Sequence, residues 1–466
     1  MTSAASSDPV NTPDFQAALR AFAAGDLAAA EAGFRRVIRA LPDFAPARGN
    51  LGVVLRRQER YGEGQAVFHQ ALALDPAQDD IWSNLSSLER EQHNNAAAEI
   101  AVRRALRCAP THVPALCNLG NLLLDEARYG EAASCYRRAL KERPNQAEAH
   151  KNLGLALLTL GDLREGYREY EWRNIAENLL DMKGDLRWPR WQGESLKGRT
   201  LLAVTEQGFG DVIHFARYGQ LIERLGGRMA LTCQAPLVRL MGNATGVAQT
   251  VGQGDPFPQV DFWAPLMSLP LYFGTDLTNI PVPLPYIRSE PELVEQWRTV
   301  LPPPMAGSPR VGIVWAGNPQ HKNDHNRSLP LPLLDCLLRE PGVRFVSLQR
   351  DMRPGDAEVL AQHPDVLHIG ERLSSFADTA AIMENLDLVI SVDTSVVHLA
   401  GSMAKPVWTL IPLVPDWRWM LGRTDSPWYP TLRLYRQPRV GDWASVIGEV
   451  REHLRAITGG RRRILA

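Results

Sequence analysis

The sequence predicts an all-α solenoid of 34-residue helix–turn–helix units, followed by an α/β half made of two parallel-sheet domains. Two observations carry this. Pro42, Pro76, Pro110 and Pro144 stand 34 residues apart, and proline closes a helix because it lacks an N–H and clashes with the preceding turn. Beyond Arg173 the helical periodicity gives way to short β-branched and aliphatic runs alternating with amphipathic helices, the pattern of βαβ units. A chain of 466 residues has room for roughly three domains.

The other repeat positions keep the same step. Leu51, Leu85, Leu119 and Leu153 take the seventh place, each followed by a small residue (Gly52, Ser86, Gly120, Gly154) that lets two helices approach. Ala30, Gly64, Ala98 and Ala132 take the twentieth, and Phe34, Phe68, Val102 and Tyr136 fill the twenty-fourth with a bulky knob. This pattern resembles the tetratricopeptide repeat. It gives units at 11–44, 45–78, 79–112 and 113–146, with a partial closing unit at 147–173 that contains Leu153, Gly154 and Tyr170. Residues 1–10 are expected to be disordered.

Asn50, Asn84, Asn118 and Asn152 hold the sixth position in the same register. Asparagine is a mediocre helix former, so four of them on first helices invite a reason. One reading is a polar face copied by repeat duplication. The other is a ladder of amides along the concave groove, where each can pair with the C=O and N–H of an extended peptide. The ladder resembles that of O-GlcNAc transferases, which implies a peptide-binding role for these four.

After a connector at 174–200, packed by Trp188 and Trp191, strands are expected at Leu201–Thr205, Arg228–Cys233 and Val260–Ala264. These form a first α/β half over 201–300. A proline-rich stretch from Ile280 to Pro304, with one helix around Glu290–Leu301, reads as an interdomain hinge. The second half, 309–458, has expected strands at Arg310–Trp315, Val343–Leu348, Val366–Ile369, Leu386–Ser391, Pro406–Ile411 and Thr431–Arg436, then a last helix at Trp443–Ile457.

Three stretches hold candidate chemistry. Strand Leu201–Thr205 runs into Glu206-Gln207-Gly208-Phe209-Gly210-Asp211-Val212-Ile213-His214. This is neither G-x-G-x-x-G nor a P-loop, so those nucleotide motifs are excluded. Asp211 is either a helix cap or a carboxylate at the mouth of a parallel sheet, and His214 reads as structural. Strand Arg310–Trp315 opens into Gly317 and Asn318 and a polar loop with His321, Lys322, His325 and Arg327. A loop fits these histidines better than a metal-binding helix does, and Lys322 and Arg327 suit an anion. The apolar run Leu386–Val392 ends at Asp393, and Thr394 or Ser395 is expected to cap a helix carrying His398. That stretch is either a helix N-terminus at a crevice where phosphate and ribose would sit or a well-capped helix with a core histidine. Pro415-Asp416-Trp417-Arg418-Trp419 borders the same region, where Arg418 adds charge.

Gly210–His214 and the Asp393–His398 stretch resemble the heptosyltransferases, family 9 of the glycosyltransferases, and the two halves match the GT-B layout. With the repeats, the chain is similar to bacterial proteins suspected of glycosylating flagellin or other proteins. The resemblance implies an inverting protein glycosyltransferase with a nucleotide-sugar co-substrate and no further cofactor. Its acceptor would be a Ser or Thr hydroxyl of a protein held by the solenoid. It implies Asp211 as general base and Gly317, Asn318, Lys322, Arg327, Asp393, Thr394, Ser395 and His398 on the donor. No Asp-x-Asp occurs in the α/β half, so no metal site is expected. Two alternatives stay open: an enzyme acting on a glycan or lipopolysaccharide, and a non-catalytic scaffold.

Bulk properties narrow the classes. Net charge is −1, from 51 basic and 52 acidic residues, so no global field recruits nucleic acid. Five cysteines, odd in number and without a C-x-x-C pair, indicate neither a disulfide framework nor a structural zinc. No signal-peptide core and no run of about 18 apolar residues is present, and a cytoplasmic protein without a membrane span is expected.

Overall fold

The computed structural model describes residues 9–177, 186–281, 284–303, 305 and 307–459. The chain divides into two compact units, Met1–Ala156 and Leu157–Ala466.

Helices α1 (Pro13–Ala23), α2 (Leu27–Ala40), α3 (Ala45–Arg57), α4 (Tyr61–Leu74), α5 (Asp79–Glu91), α6 (Asn95–Cys108), α7 (Val113–Asp125), α8 (Tyr129–Glu142), α9 (Ala147–Leu160) and α10 (Leu163–Tyr170) follow the 34-residue step. The expected disordered segment lies outside the described residues up to Asp8, while Pro9–Asn11 forms a 3-10 turn. Packing explains the repeat pattern. The knobs Phe34, Phe68, Val102 and Tyr136 are fully buried. A Cβ on Gly52 would lie 2.5 Å from the Phe68 ring, and one on Gly120 would lie 2.7 Å from the Tyr136 ring. Where the knob shrinks to Val102, the facing residue is Ser86 rather than glycine.

The first helix of each unit ends in a left-handed residue, again 34 apart: Gly25, Glu59, His93, Ala127 and Gly161 have φ of 81, 62, 59, 59 and 89°. Only the first and last are glycines, the residue that adopts this conformation without penalty. An ion-pair set also recurs every second repeat. Arg60 reaches Glu31 at 2.8 Å and Glu63 at 2.7 Å, and Arg128 reaches Glu99 at 3.3 Å and Glu131 at 2.8 Å. Such partly exposed pairs add little stability.

In the second unit the helical run is built into an α/β body. The ring of Tyr167 on α10 meets that of Trp417 edge-on at 5.8 Å, and Arg164 pairs with Asp276 at 2.6 Å. A first parallel sheet contains β1 (Thr200–Val204), β2 (Arg228–Cys233), β3 (Val247–Gly252) and β4 (Phe262–Pro265) in the order β3-β2-β1-β4. The Val247–Gly252 strand was not expected from sequence. It is an edge strand whose residues are mostly solvent-accessible, so it lacks the apolar run of its neighbours. The connector adds a bridge beside β4, with Arg190 opposite Trp263, and Trp191 is buried against Tyr272 and Phe273. Its residues 178–185 lie outside the described ones.

A second parallel sheet runs β10-β9-β8-β5-β6-β7. Its strands are β5 (Arg310–Val314), β6 (Arg344–Ser347), β7 (Leu367–His368), β8 (Leu388–Val392), β9 (Val407–Ile411) and β10 (Leu432–Arg436). β5, β8 and β9 are buried along their whole length, as strands covered on both faces must be. The stretch expected as a hinge is packed: Tyr286 is fully buried and its N–H bonds Ser402 O at 3.0 Å. Its helix Pro291–Val300 holds the second half through Trp297 Nε1, which donates to Asp378 Oδ1 at 3.1 Å. The last helix is Trp443–Thr458. Among the described residues no helix is long and apolar enough to cross a membrane.

Candidate functional site

Strand order locates the site. Each sheet reverses its winding beside its first strand, between β1 and β4 and between β5 and β8. Parallel sheets open a crevice at the carboxyl ends of such strands. Residues 206–211 follow β1, Gly317 to Arg327 follow β5, and Asp393 follows β8.

Asp211 lies in the short helix Phe209–Phe215. Its Oδ2 accepts the Gly208 N–H at 3.0 Å, so the cap reading holds locally. Its Oδ1 also forms an ion pair with Arg418 from the second half. Arg418 is 5 % exposed. Its Nη1 donates to Asp416 at 3.0 and 3.1 Å, and its guanidinium lies 4.4 Å from the Trp417 ring centre and 5.4 Å from that of Phe215. Its Nε is buried without a hydrogen-bond partner. Burial pushes the Asp211 carboxyl above the usual range, and the Arg418 charge works against that shift.

Asp393 is buried, and its carboxyl is pushed up to about 7, first by burial and then by the charge of Asp416. Its backbone carbonyl accepts from Arg327 Nη1 at 3.1 Å. Arg327 is held from behind by Asp324 at 3.6 Å, which also pairs with Arg353 and accepts from Ser328 Oγ at 2.8 Å. Gly317 leaves room for the Arg327 guanidinium, which a Cβ would approach to 2.7 Å. Its N–H donates to Ser328 Oγ at 2.9 Å, and Arg353 Nη2 donates to its carbonyl at 2.9 Å. The Asn318 side chain is spent on its own loop, accepting the Gln320 N–H at 2.9 Å. Lys322 is exposed. The loop contains one helical turn, Asp324–Arg327, where sequence suggested none.

Two expectations change. Thr394 stands at the N-cap of the helix Ser395–Ser402 without capping it through its side chain; its Oγ1 lies 3.2 Å from Ser391 Oγ. His398 takes a packing role instead of facing a donor. It is buried, its Nδ1 is 3.1 Å from Tyr429 Oη, and its ring stacks on Trp419 at 5.3 Å. The same hydroxyl lies 2.9 Å from Nδ1 of His214, which is fully buried, as its structural reading required. Burial holds both imidazoles well below their ordinary pKa, so they are neutral.

Sequence reasoning missed the support layer. Arg173 and Glu206 form a buried pair at 2.8 Å, and Glu206 Oε2 accepts the Met267 N–H at 3.0 Å. Arg353, Asp324 and Gln349 brace the other loop; Gln349 Oε1 accepts the N–H groups of Trp315 and Ala316 at 3.1 and 3.0 Å. Partners this far apart in the chain leave no local pattern.

The asparagines are half-buried, and three of their amide nitrogens are already engaged. Asn50 donates to Pro46 O at 2.9 Å, Asn118 to Ser83 O at 3.1 Å and to Ser87 Oγ at 2.9 Å, and Asn152 to Asn121 Oδ1 at 2.9 Å. Asn84 has no side-chain hydrogen bond among the described residues. A two-handed grip on peptide backbone is therefore reduced to the amide oxygens, with Asn84 alone keeping both atoms.

The class of the first unit is set by these repeats: the tetratricopeptide repeat family model matches residues 15–64, 51–113 and 117–169, so this region is a tetratricopeptide-repeat region. Protein FlbA of Caulobacter vibrioides is 27 % identical over 332 residues, 64 % of this chain and 53 % of that protein. The chain thus spans about half the length of the curated relative it matches. Solved structures align with little more than a third of the chain. A MamA protein aligns at 18 % identity and TM-score 0.30, over 38 % of this chain and 96 % of its own. YrrB, described as a TPR protein with an unusual peptide-binding site, aligns at 20 % and 0.29, over 37 and 87 %. PilW, a type IV pilus biogenesis factor, aligns at 22 % and 0.34, over 37 and 83 %. Nothing about the second unit follows from these.

Proposed function

We propose that this chain is a protein glycosyltransferase of GT-B type, in which the second unit moves a sugar from a nucleotide-sugar to a Ser or Thr hydroxyl of a polypeptide bound by the repeats. Flagellin is the acceptor its resemblance suggests. The observation that carries the reading is the ion pair of Asp211 from the first half with Arg418 from the second, whose charge also acts on Asp393, the residue whose carbonyl Arg327 holds. In the reaction Asp211 takes the acceptor hydroxyl proton, the oxygen attacks the anomeric carbon, and the sugar–phosphate bond breaks. Arg327 and Lys322 then neutralise the departing diphosphate. The repeats are the part of the chain assigned to the acceptor, since tetratricopeptide regions bind peptides or proteins.

The test is calorimetric titration of the intact protein with a panel of nucleotide-sugars. One of them should bind, and Arg327→Ala should weaken it by about tenfold to hundredfold, the worth of a charge-assisted contact. Binding unchanged in that variant contradicts the donor side of the reading.

A further inference from the structure

We propose that Arg418 couples donor binding to the freeing of Asp211, by exchanging the carboxylate for a diphosphate; this rests on the reading of the crevice as a donor site. Both oxygens of Asp211 are occupied, Oδ2 by the Gly208 N–H at 3.0 Å and Oδ1 by Arg418. Each oxygen keeps a further lone pair, but the Arg418 charge lowers the basicity of the carboxylate, so release of Oδ1 would make Asp211 the stronger base and open that oxygen to the acceptor hydroxyl.

The surroundings of Arg418 suit such an exchange. Its Nη1 is anchored by Asp416, and the Trp417 and Phe215 rings hold its guanidinium in the seam between the halves. Only Nη2 reaches Asp211, and Nε is buried with no partner. The edge bearing Nη2 and Nε is thus the edge a second anion can take while Asp416 stays in place. Three carboxylates (Asp211, Asp393, Asp416) share the charge of Arg418 and Arg327 here. A diphosphate offers several oxygens in bidentate geometry and competes well for a guanidinium fork. Donor binding would then precede deprotonation of the acceptor, so that the base is exposed only when there is a sugar to transfer.

The exchange gives Asp211 and Arg418 opposite signs in one assay and, unlike simple repulsion of the anion by Asp211, makes the Asp211 effect depend on Arg418. With inorganic pyrophosphate as the probe, Asp211→Asn removes the competitor and should tighten binding by about tenfold. Arg418→Lys keeps a charge but loses the fork, and should weaken binding by a similar factor. In the double variant the Asp211→Asn gain should vanish. Melting curves of each variant report folding. Weaker or unchanged binding in Asp211→Asn, with binding still sensitive to Arg327→Ala, overturns the coupling and leaves the donor site standing. No pyrophosphate binding by the unsubstituted protein overturns both.

Discussion

The Asp211 carboxylate and the Arg418 guanidinium, 207 residues apart in the chain, form an ion pair joining the end of β1 to the loop after β9. The pair ties the turn after β1 in the first half to the second half. It also separates two properties often assigned to one residue. Asp211 caps its helix through one oxygen and meets the other half through the other, so local structure alone does not exhaust its role.

Asp393 should impose a pH dependence on stability. Its carboxyl titrates at about 7 when folded and at about 3.9 when unfolded. Between those values the folded state binds more protons, so this contribution is present below about pH 4, falls as pH rises, and is lost above about pH 7. Asp393→Asn removes that slope. The stability of the variant relative to the unsubstituted protein should therefore rise from pH 5 to pH 8 in denaturant titrations. A difference that stays constant across that range would show that Asp393 is ionised throughout.

Arg173 and Glu206 should behave as a unit. Their side chains are 1 % and 0 % exposed; Arg173 also holds Glu171 at 3.1 Å, so it is removal of Arg173 that leaves Glu206 buried without its cation. Arg173→Met should cost about 3–5 kcal/mol, and the double variant with Glu206→Gln distinctly less. Chemical denaturation of the three variants checks this; equal losses for single and double variants would deny the coupling.

The asparagines should divide by their bonding. Asn118→Ala loses bonds to Ser83 and Ser87 and should destabilise the first unit by about 1 kcal/mol. Asn84→Ala should leave the melt unchanged or slightly raised, since alanine is the better helix former, and should weaken binding of a protein acceptor. If Asn84→Ala binds the acceptor as well as the original chain does, the groove does not read peptide backbone through this position.

What the sequence reveals follows from how each constraint is written into the chain. The repeats are legible because each knob and each small partner recurs every 34 residues, as Gly52 beneath Phe68 and Gly120 beneath Tyr136 do. The buried strands β5, β8 and β9 are legible as apolar runs. Edge strand β3 is not, because only one of its six residues is buried. Within the site, the turns after β1, β5 and β8 mark Asp211, Gly317 and Asp393. The roles of Arg418, Arg353 and Arg173 depend on partners dozens to hundreds of residues away, and no spacing records those. His398 misleads for the same reason: its place on a helix at the crevice suggests a ligand, while Tyr429 and Trp419 give it a packing role.

The most direct test of the central claim is turnover of the nucleotide-sugar that binds, measured as nucleotide released by the intact protein and by Asp211→Asn in the presence of a protein acceptor. The account predicts sugar transfer by the intact protein and a loss of about 10²-fold or more in the variant, the size expected for a lost general base, with its fold retained and its donor affinity no weaker. Equal turnover in both would contradict it and leave Asp211 a cap and an ion-pair partner only.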